Sequence, residues 1–82
     1  MDSLSIFQTL VRHASHVLTD VDANLITRDS SLVELGANSM ERSEILLNAL
    51  EEMDISIPVV SLFGPKNLGE LSDKIEGMVN LD

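Results

Sequence analysis

Apolar side chains recur at intervals of three and four residues along the first part of the chain, which predicts an amphipathic α-helix over Ser3–Leu18. Ser3 is suited to the N-cap position of this helix. Its predicted core positions are Leu4, Phe7, Leu10, Val11, Ala14, Val17 and Leu18. The connection from Thr19 to Ala37 is predicted to be a partly ordered loop. The apolar residues expected to anchor that loop on the core are Leu25, Ile26, Leu32, Val33 and Leu35.

Two more helices and one short helical segment are predicted after the loop. The second helix is expected over Ser39–Met53, with core positions at Ile45, Ala49 and Met53. Pro58 blocks its continuation, and Pro58–Phe63 is predicted to form a short third helix or turn. The last helix is expected to start at Asn67, which forms a capping-box pattern with Glu70. Its predicted core stripe is Leu68, Leu71, Ile75, Met78 and Val79.

These elements predict an all-α fold, a small four-helix bundle with three main helices, one short third helix and a long first loop. The chain has 82 residues, so residues 1–82 are expected to form a single domain. Two Phe and no Trp or Tyr suit an aliphatic core. No apolar run is long enough for a signal peptide or a membrane span, and we expect a cytoplasmic protein.

The chain is strongly acidic, with a net charge of −9 from 14 acidic and 5 basic residues. Binding to phosphate backbones requires clusters of Lys and Arg, so no nucleic-acid partner is expected. Basic protein surfaces are the expected partners, unless the acidity serves only to keep the domain soluble. We also expect a monomer with no membrane partner.

Three possible sites of other chemistry fail on the sequence. The chain has no Cys, and His13 and His16 have no evident third ligand, so we expect surface histidines and no metal. A calcium loop counted from Asp20 would need Gly and Glu where Leu25 and Ser31 stand. A serine hydrolase motif around Ser39 fails because Glu41 occupies the position of its second glycine. We therefore predict no catalytic residues and no enzyme.

Ser39 stands at the predicted start of the second helix. Asn38 is a good N-cap, and Glu41 follows three residues later, so the two form a capping-box pattern. The Ser39 hydroxyl is then expected to point into solvent beside the free N–H groups of the first turn. Such a position favours an anionic group.

The stretch Gly36-Ala37-Asn38-Ser39-Met40 resembles the Gly-x-Asp-Ser-Leu motif of acyl carrier proteins. Gly36 and Ser39 match that motif, whereas Asn38 replaces the aspartate and Met40 the leucine. The resemblance implies that a phosphopantetheinyl transferase attaches a 4′-phosphopantetheine arm to Ser39 through a phosphodiester. The arm of the family carries acyl groups as thioesters.

The resemblance also implies a docking surface, because the second helix is the main recognition element of the family. The matching positions of this chain are Asn38, Met40, Glu41, Glu44 and Leu47. Arg42 and Ser43 depart from the usual acidic and apolar pattern of this helix, and we expect them to mark a specialised partner.

The segment Ile57-Pro58 through Ser61-Leu62-Phe63 resembles carriers of polyketide and peptide assembly lines more than those of primary fatty-acid synthesis. Few residues flank the predicted helices, Met1-Asp2 before and Leu81-Asp82 after, so we expect a free-standing carrier. With the serine motif, the chain is similar to donor carriers of polyketide β-branching cassettes. Those carriers present acetyl units to an HMG-CoA-synthase-like enzyme. The implied partners are an acyltransferase, a ketosynthase or such an HMG-synthase-like enzyme.

Two alternatives stay open on the sequence. The chain could be a housekeeping carrier of fatty-acid synthesis. It could also be an unmodified acidic helical module that binds a basic partner through Leu46, Leu47 and Leu50.

Overall fold

Three α-helices and two 3-10 turns make up the part of the chain that the computed structural model describes, residues 2–79. The α-helices are α1 (Ser3–Val17), α2 (Ser39–Glu52) and α3 (Leu68–Val79). The 3-10 turns are Ala23–Leu25 and Val59–Leu62. No strand occurs within residues 2–79, so the all-α prediction is confirmed. The expectation of a free-standing carrier is based on Met1 and Leu81-Asp82, which lie outside the described residues.

The N-cap of helix α1 lies one residue earlier than predicted. The N-cap is Asp2, whose carboxylate accepts a hydrogen bond of 2.8 Å from the backbone N–H of Ser5, and this bond lowers the pKa of Asp2. The prediction of Ser3 as the N-cap is wrong because Ser3 is helical and its polar groups bind α3. Its Oγ donates to Asp73 and its N–H to Glu76.

The core forms where α1 packs against both α2 and α3. Its buried residues are Ile6, Leu10, Ala14, Leu18, Ile26, Leu32, Ala37, Ile45, Leu46, Ala49, Leu50, Leu62, Leu68, Leu71 and Ile75. The prediction for Leu4 is wrong, because its side chain is exposed while Ile6 is fully buried. Ile6, Leu10 and Ala14 repeat every four residues and form one stripe of α1, and Leu4 lies on the opposite side of the helix.

The long first loop is anchored by fewer residues than predicted. Ile26 and Leu32 are buried and Leu35 is partly buried, whereas Leu25 and Val33 are exposed. Leu25 precedes Ile26, and Val33 follows Leu32. Since adjacent residues of a turn point in different directions, only one member of each pair reaches the core.

The loop is also joined to the start of α3 by backbone hydrogen bonds. The N–H groups of Leu68 and Gly69 donate to the carbonyls of Ser30 and Arg28, each at 2.8 Å. A Cβ atom on Gly69 would stand only 3.0 Å from the Cβ of Arg28, so the absence of a side chain permits this contact. The Asp73 carboxylate accepts hydrogen bonds from Ser3 and from Arg28, which lower its pKa. We name this set of contacts the loop–α3 joint.

The capping-box prediction for α3 is half right. Asn67 Oδ1 accepts from the N–H of Glu70 at 2.8 Å, and the helix begins at Leu68. The Glu70 carboxylate, however, meets the N–H of Lys66 at 3.5 Å instead of that of Asn67. The reciprocal half of the box is therefore replaced by a contact one residue upstream.

Glu52, at the end of α2, holds the second half of α1. Its carboxylate accepts hydrogen bonds from Arg12 and from His13 Nε2, the latter at 2.9 Å, and they lower its pKa to about 2. His13 is thus half-buried against a carboxylate and not the solvated histidine predicted, whereas His16 is exposed. Within residues 2–79, no three His, Cys, Asp or Glu side chains are grouped to hold a metal ion. No helix of this part of the chain could span a membrane.

Candidate functional site

A tight turn at Gly36 brings the chain to the start of α2. The N–H of Gly36 donates to the carbonyl of Val33, and that of Ala37 to Leu32 at 2.9 Å. Gly36 has a φ of 99°, a conformation that residues with a Cβ rarely adopt. Ala37 is buried directly after it. The turn is therefore fixed at one end by the core and leads directly into Asn38.

A complete capping box fixes the first residue of α2. Asn38 Oδ1 accepts from the N–H of Glu41 at 2.8 Å, and the Glu41 carboxylate accepts from the N–H of Asn38 at 3.0 Å. The predicted box is confirmed, and Ser39 is the first helical residue. The N–H groups of Ser39 and Met40 lie in the first turn, where a helix offers no internal acceptor.

Ser39 is exposed, but its hydroxyl has a neighbour that the sequence prediction did not include. Arg42 Nη2 donates to Ser39 Oγ at 3.2 Å, and Nη1 donates to the carbonyl of Ala37 at 3.4 Å. The guanidinium carbon of Arg42 lies 5.9 Å from the ring centre of Phe63, within the range of a cation–π contact. The expectation that the hydroxyl points only into solvent is thus corrected.

A cavity of about 360 Å³ opens beside this arrangement, between α2, the second 3-10 turn and the start of α3. Its wall is mostly apolar, and Arg42 and Lys66 supply positive charge. The lining residues are Ser31, Leu32, Val33, Arg42, Leu46, Leu62, Phe63, Pro65, Lys66, Asn67, Leu68 and Leu71.

Comparison with known proteins identifies the family. The family described as "phosphopantetheine attachment site" matches residues 8–75. The chain belongs to this family of acyl carrier proteins. A relative, the polyketide biosynthesis acyl-carrier-protein AcpK of Bacillus subtilis (strain 168), is 40% identical over 73 residues, which are 89% of each chain.

A solved structure supports the same fold. It is the crystal structure of the curacin biosynthetic pathway HMG synthase in complex with acetyl donor-ACP. The match has a TM-score of 0.82 and 27% sequence identity, and it covers 89% of this chain and 94% of the other. The predicted acyl-carrier-like architecture is confirmed.

The cofactor of this family is 4′-phosphopantetheine, and the start of α2 in this carrier fits such a group. Ser39 presents an exposed hydroxyl, and the guanidinium of Arg42 is within hydrogen-bond distance of it. The unpaired N–H groups of the first turn also favour a phosphate. The group is large and flexible, and the exposed position of Ser39 leaves it room.

The predicted docking residues of the carrier divide into two sets. Met40, Glu44 and Leu47 are exposed and lie on one side of α2, because they are four and three residues apart. Met40 is 80% exposed and Leu47 49%. We name these three residues the docking face, after the role that the sequence resemblance predicts for them. Asn38 and Glu41 are instead bonded to each other in the capping box.

The alternative prediction that Leu46, Leu47 and Leu50 form an exposed interaction face is wrong. Leu46 and Leu50 are buried in the core, and only Leu47 is exposed. Helix α2 is covered on two sides, by α1 and by the second 3-10 turn, so its apolar arc is wider than that of a helix with one buried face.

Two exposed apolar residues near α2 were not predicted as part of the site. Val60 is exposed on the second 3-10 turn, and Phe63 is exposed just after it. Leu62, which stands between them in the sequence, is the residue of this segment that is buried in the core. The contact between Arg42 and Ser39 also had a signal in the sequence, since residues three apart are neighbours on a helix. The position of Phe63 beside Arg42 had none.

Proposed function

We propose that the carrier receives its 4′-phosphopantetheine arm on Ser39 Oγ and presents acyl groups in polyketide biosynthesis. The observation that carries the assignment to Ser39 is its exposed hydroxyl at the first residue of α2, held there by a complete capping box. The relative named for polyketide biosynthesis supports the pathway, because it is 40% identical over most of both chains.

In this role the residues of the carrier place and present the arm. Gly36 and Asn38 set the start of α2, so that Ser39 Oγ faces an approaching transferase. When bound, the cofactor supplies a thiol that holds the acyl group as a thioester. The docking face of Met40, Glu44 and Leu47 brings the loaded carrier to its partners, and the reactions occur in those partner enzymes. The carrier is therefore not itself an enzyme.

The first experiment is intact mass after incubation with coenzyme A and a broad-specificity phosphopantetheinyl transferase. The wild type is expected to gain one phosphopantetheine, and Ser39→Ala none. Ser43→Ala is the matched control, because it removes a hydroxyl one turn further along α2 and should be modified like the wild type. Modification of Ser39→Ala would contradict the assignment. A wild type that accepts no arm would leave an acidic binding module as the better account.

We further propose that the carrier donates an acetyl group to an HMG-synthase-like enzyme. The solved neighbour supports this, because it is an acetyl donor-ACP in complex with an HMG synthase. The exposed side chains also suit transient contact. Leu47 and Met40 offer apolar area, and Glu44 with the net charge of −9 favours a basic partner surface. Monomeric state, cytoplasmic location and a single domain over residues 1–82 stay predictions.

Acetyl transfer from the loaded carrier tests the donor role. We expect transfer to an HMG-synthase-like enzyme and none to a fatty-acid ketosynthase, and the reverse would indicate a housekeeping carrier. Leu47→Ala should lower kcat/KM for the transfer roughly tenfold, which is typical of a central apolar interface contact. Leu4→Ala is the control, because Leu4 is an exposed leucine on α1, at 60% against 49% for Leu47. Equal loss in both variants would argue against the docking face.

A further inference from the structure

Arg42 differs from the other two arginines of the chain in the charge of its partners. Arg12 is paired with the carboxylate of Glu52, and Arg28 with that of Asp73. The hydrogen bonds of Arg42 go to two neutral oxygens, the Ala37 carbonyl and Ser39 Oγ. Among residues 2–79 it has no carboxylate within ion-pair distance. Although the chain has a net charge of −9, this guanidinium therefore forms no ion pair within the described residues.

The guanidinium is also held in place beside Ser39. The Ala37 carbonyl accepts from Nη1, and the guanidinium carbon lies over the ring of Phe63, 5.9 Å from the ring centre. Because the side chain is already ordered by these contacts, a new anion at Ser39 would find its donors in position, and less conformational entropy is lost on binding.

We propose that Arg42 binds the phosphodiester of the arm, an inference that rests on the proposed attachment at Ser39. The phosphorus would be bonded to Ser39 Oγ, and Arg42 Nη2 is 3.2 Å from that atom. The free phosphate oxygens extend one bond beyond the phosphorus, within the range of the guanidinium. Arginine presents its N–H groups as a planar fork that matches phosphate oxygens. Arg42, which donates to two neutral oxygens before the arm is attached, thereby becomes one partner of an ion pair.

The position of Arg42 on α2 gives the bound phosphodiester a direction. At about 100° per residue, Arg42 lies nearly opposite the face formed by Met40, Glu44 and Leu47. An ion pair with Arg42 therefore draws the root of the arm toward the side of α2 that carries the cavity. The docking face itself then takes no part in holding the phosphodiester and stays free to contact a partner enzyme.

Nitrogen-labelled arginine side chains give the direct test. In proton–nitrogen NMR spectra of the Nε–H groups, the Arg42 signal should shift when the arm is attached. The signals of Arg12 and Arg28 serve as internal controls and should stay in place. Intact mass of the same samples reports attachment. An arm present by mass with an unmoved Arg42 signal would overturn the inference alone, whereas an arm absent by mass would overturn the proposed function.

Variants of the loaded carrier test the effect on the arm. In Arg42→Gln, the phosphorus resonance of the phosphodiester should sharpen, because a root without its ion pair moves more freely. Arg42→Lys keeps the charge without the fork and should restore part of the line width. Arg12→Gln removes the same charge from α1, where Arg12 pairs with Glu52 at the far end of α2, and should leave the resonance unchanged. An equal line width in Arg42→Gln and wild type would contradict the proposal, as would equal sharpening in Arg12→Gln. The test with labelled arginine compares the wild type with and without the arm, so it does not depend on the folding of any variant.

Discussion

At the scale of single residues, Gly36 determines where Ser39 is presented. Its φ of 99° turns the chain out of the loop, and two residues later Asn38 caps α2. An ideal Cβ on Gly36 would meet no atom within 4 Å. The requirement for glycine is therefore conformational, and crowding has no part in it.

Gly36→Ala should lower the free energy of unfolding by about 1–2 kcal/mol, the cost of a left-handed backbone for a residue with a Cβ. Urea denaturation measures it. Gly64→Ala is the control, because its Cβ also meets open space but its φ lies outside that region. The control should be neutral or stabilising by up to about 1 kcal/mol, since alanine restricts the unfolded chain. Equal effects in both variants would exclude the backbone explanation.

The sequence predicted the local part of the site and missed its tertiary part. Asn38, Ser39 and Glu41 were placed correctly because a capping box is formed by residues within one turn. The direction of the Arg42 side chain was not predictable in the same way. It depends on Phe63, which a separate segment brings alongside α2.

At the scale of elements, the loop–α3 joint decides how the first loop is held. Backbone carbonyls of Arg28 and Ser30 accept the first N–H groups of α3, which have no acceptor within their own helix. The loop thus serves as part of the cap of α3. Its close approach to Gly69 would place a Cβ there closer to Arg28 than an ordinary van der Waals contact.

Gly69→Ala should destabilise the carrier by about 1–3 kcal/mol, the range for overpacking a filled site. The new Cβ would lie 3.1 Å from the Arg28 carbonyl oxygen, which is held by its own hydrogen bond. Gly77→Ala, in the same helix with open space around its Cβ, should stabilise by up to about 1 kcal/mol. Thermal unfolding of the two variants should therefore shift in opposite directions. A stabilised Gly69→Ala would show that the loop yields easily.

Helix periods were predictable from the sequence, but the choice among apolar residues was not always so. In α3 the stripe of Leu68, Leu71 and Ile75 is buried as predicted. In α1 the predicted stripe is buried or partly buried except at Leu4, and the contacts with both other helices bury Ile6 instead. The loop contains the adjacent apolar pairs Leu25-Ile26 and Leu32-Val33, and without a helical period the sequence does not indicate which member of each pair is buried.

At the scale of the whole molecule, Glu52 joins α1 to α2 through Arg12 and His13. Its pKa is lowered from 4.5 to about 2, first by the hydrogen bond from Arg12 and then by that from His13. The carboxylate is ionised more readily in the folded chain than in the unfolded chain. It therefore stabilises the fold above pH 4.5, and this contribution is lost as the pH falls toward 2.

Glu52→Gln should reduce stability at neutral pH and have little effect near pH 2, where about half of the wild-type carboxylates in the folded chain are protonated and most of their contribution is lost. Urea denaturation across that pH range gives the difference curve. Because the pair is exposed, the effect should be small and should weaken further with added salt. Glu51→Gln removes the same charge from an exposed neighbour and is the control. A difference curve for Glu52→Gln that is flat with pH would contradict the stabilising role assigned to the contacts of Glu52 with Arg12 and His13.

The loop–α3 joint also bears on when this chain can fold during its synthesis. The contacts of Arg28 with Gly69 and Asp73 span 41 and 45 residues, and those of Ser3 with Asp73 and Glu76 span 70 and 73. A nascent chain that has left the ribosome only as far as α2 therefore lacks the partners of Ser3, the first residue of α1, and of Arg28 in the loop. The segment around Ser39 would then be synthesised well before it can take up its native structure. That structure forms only once α3 has emerged from the ribosome.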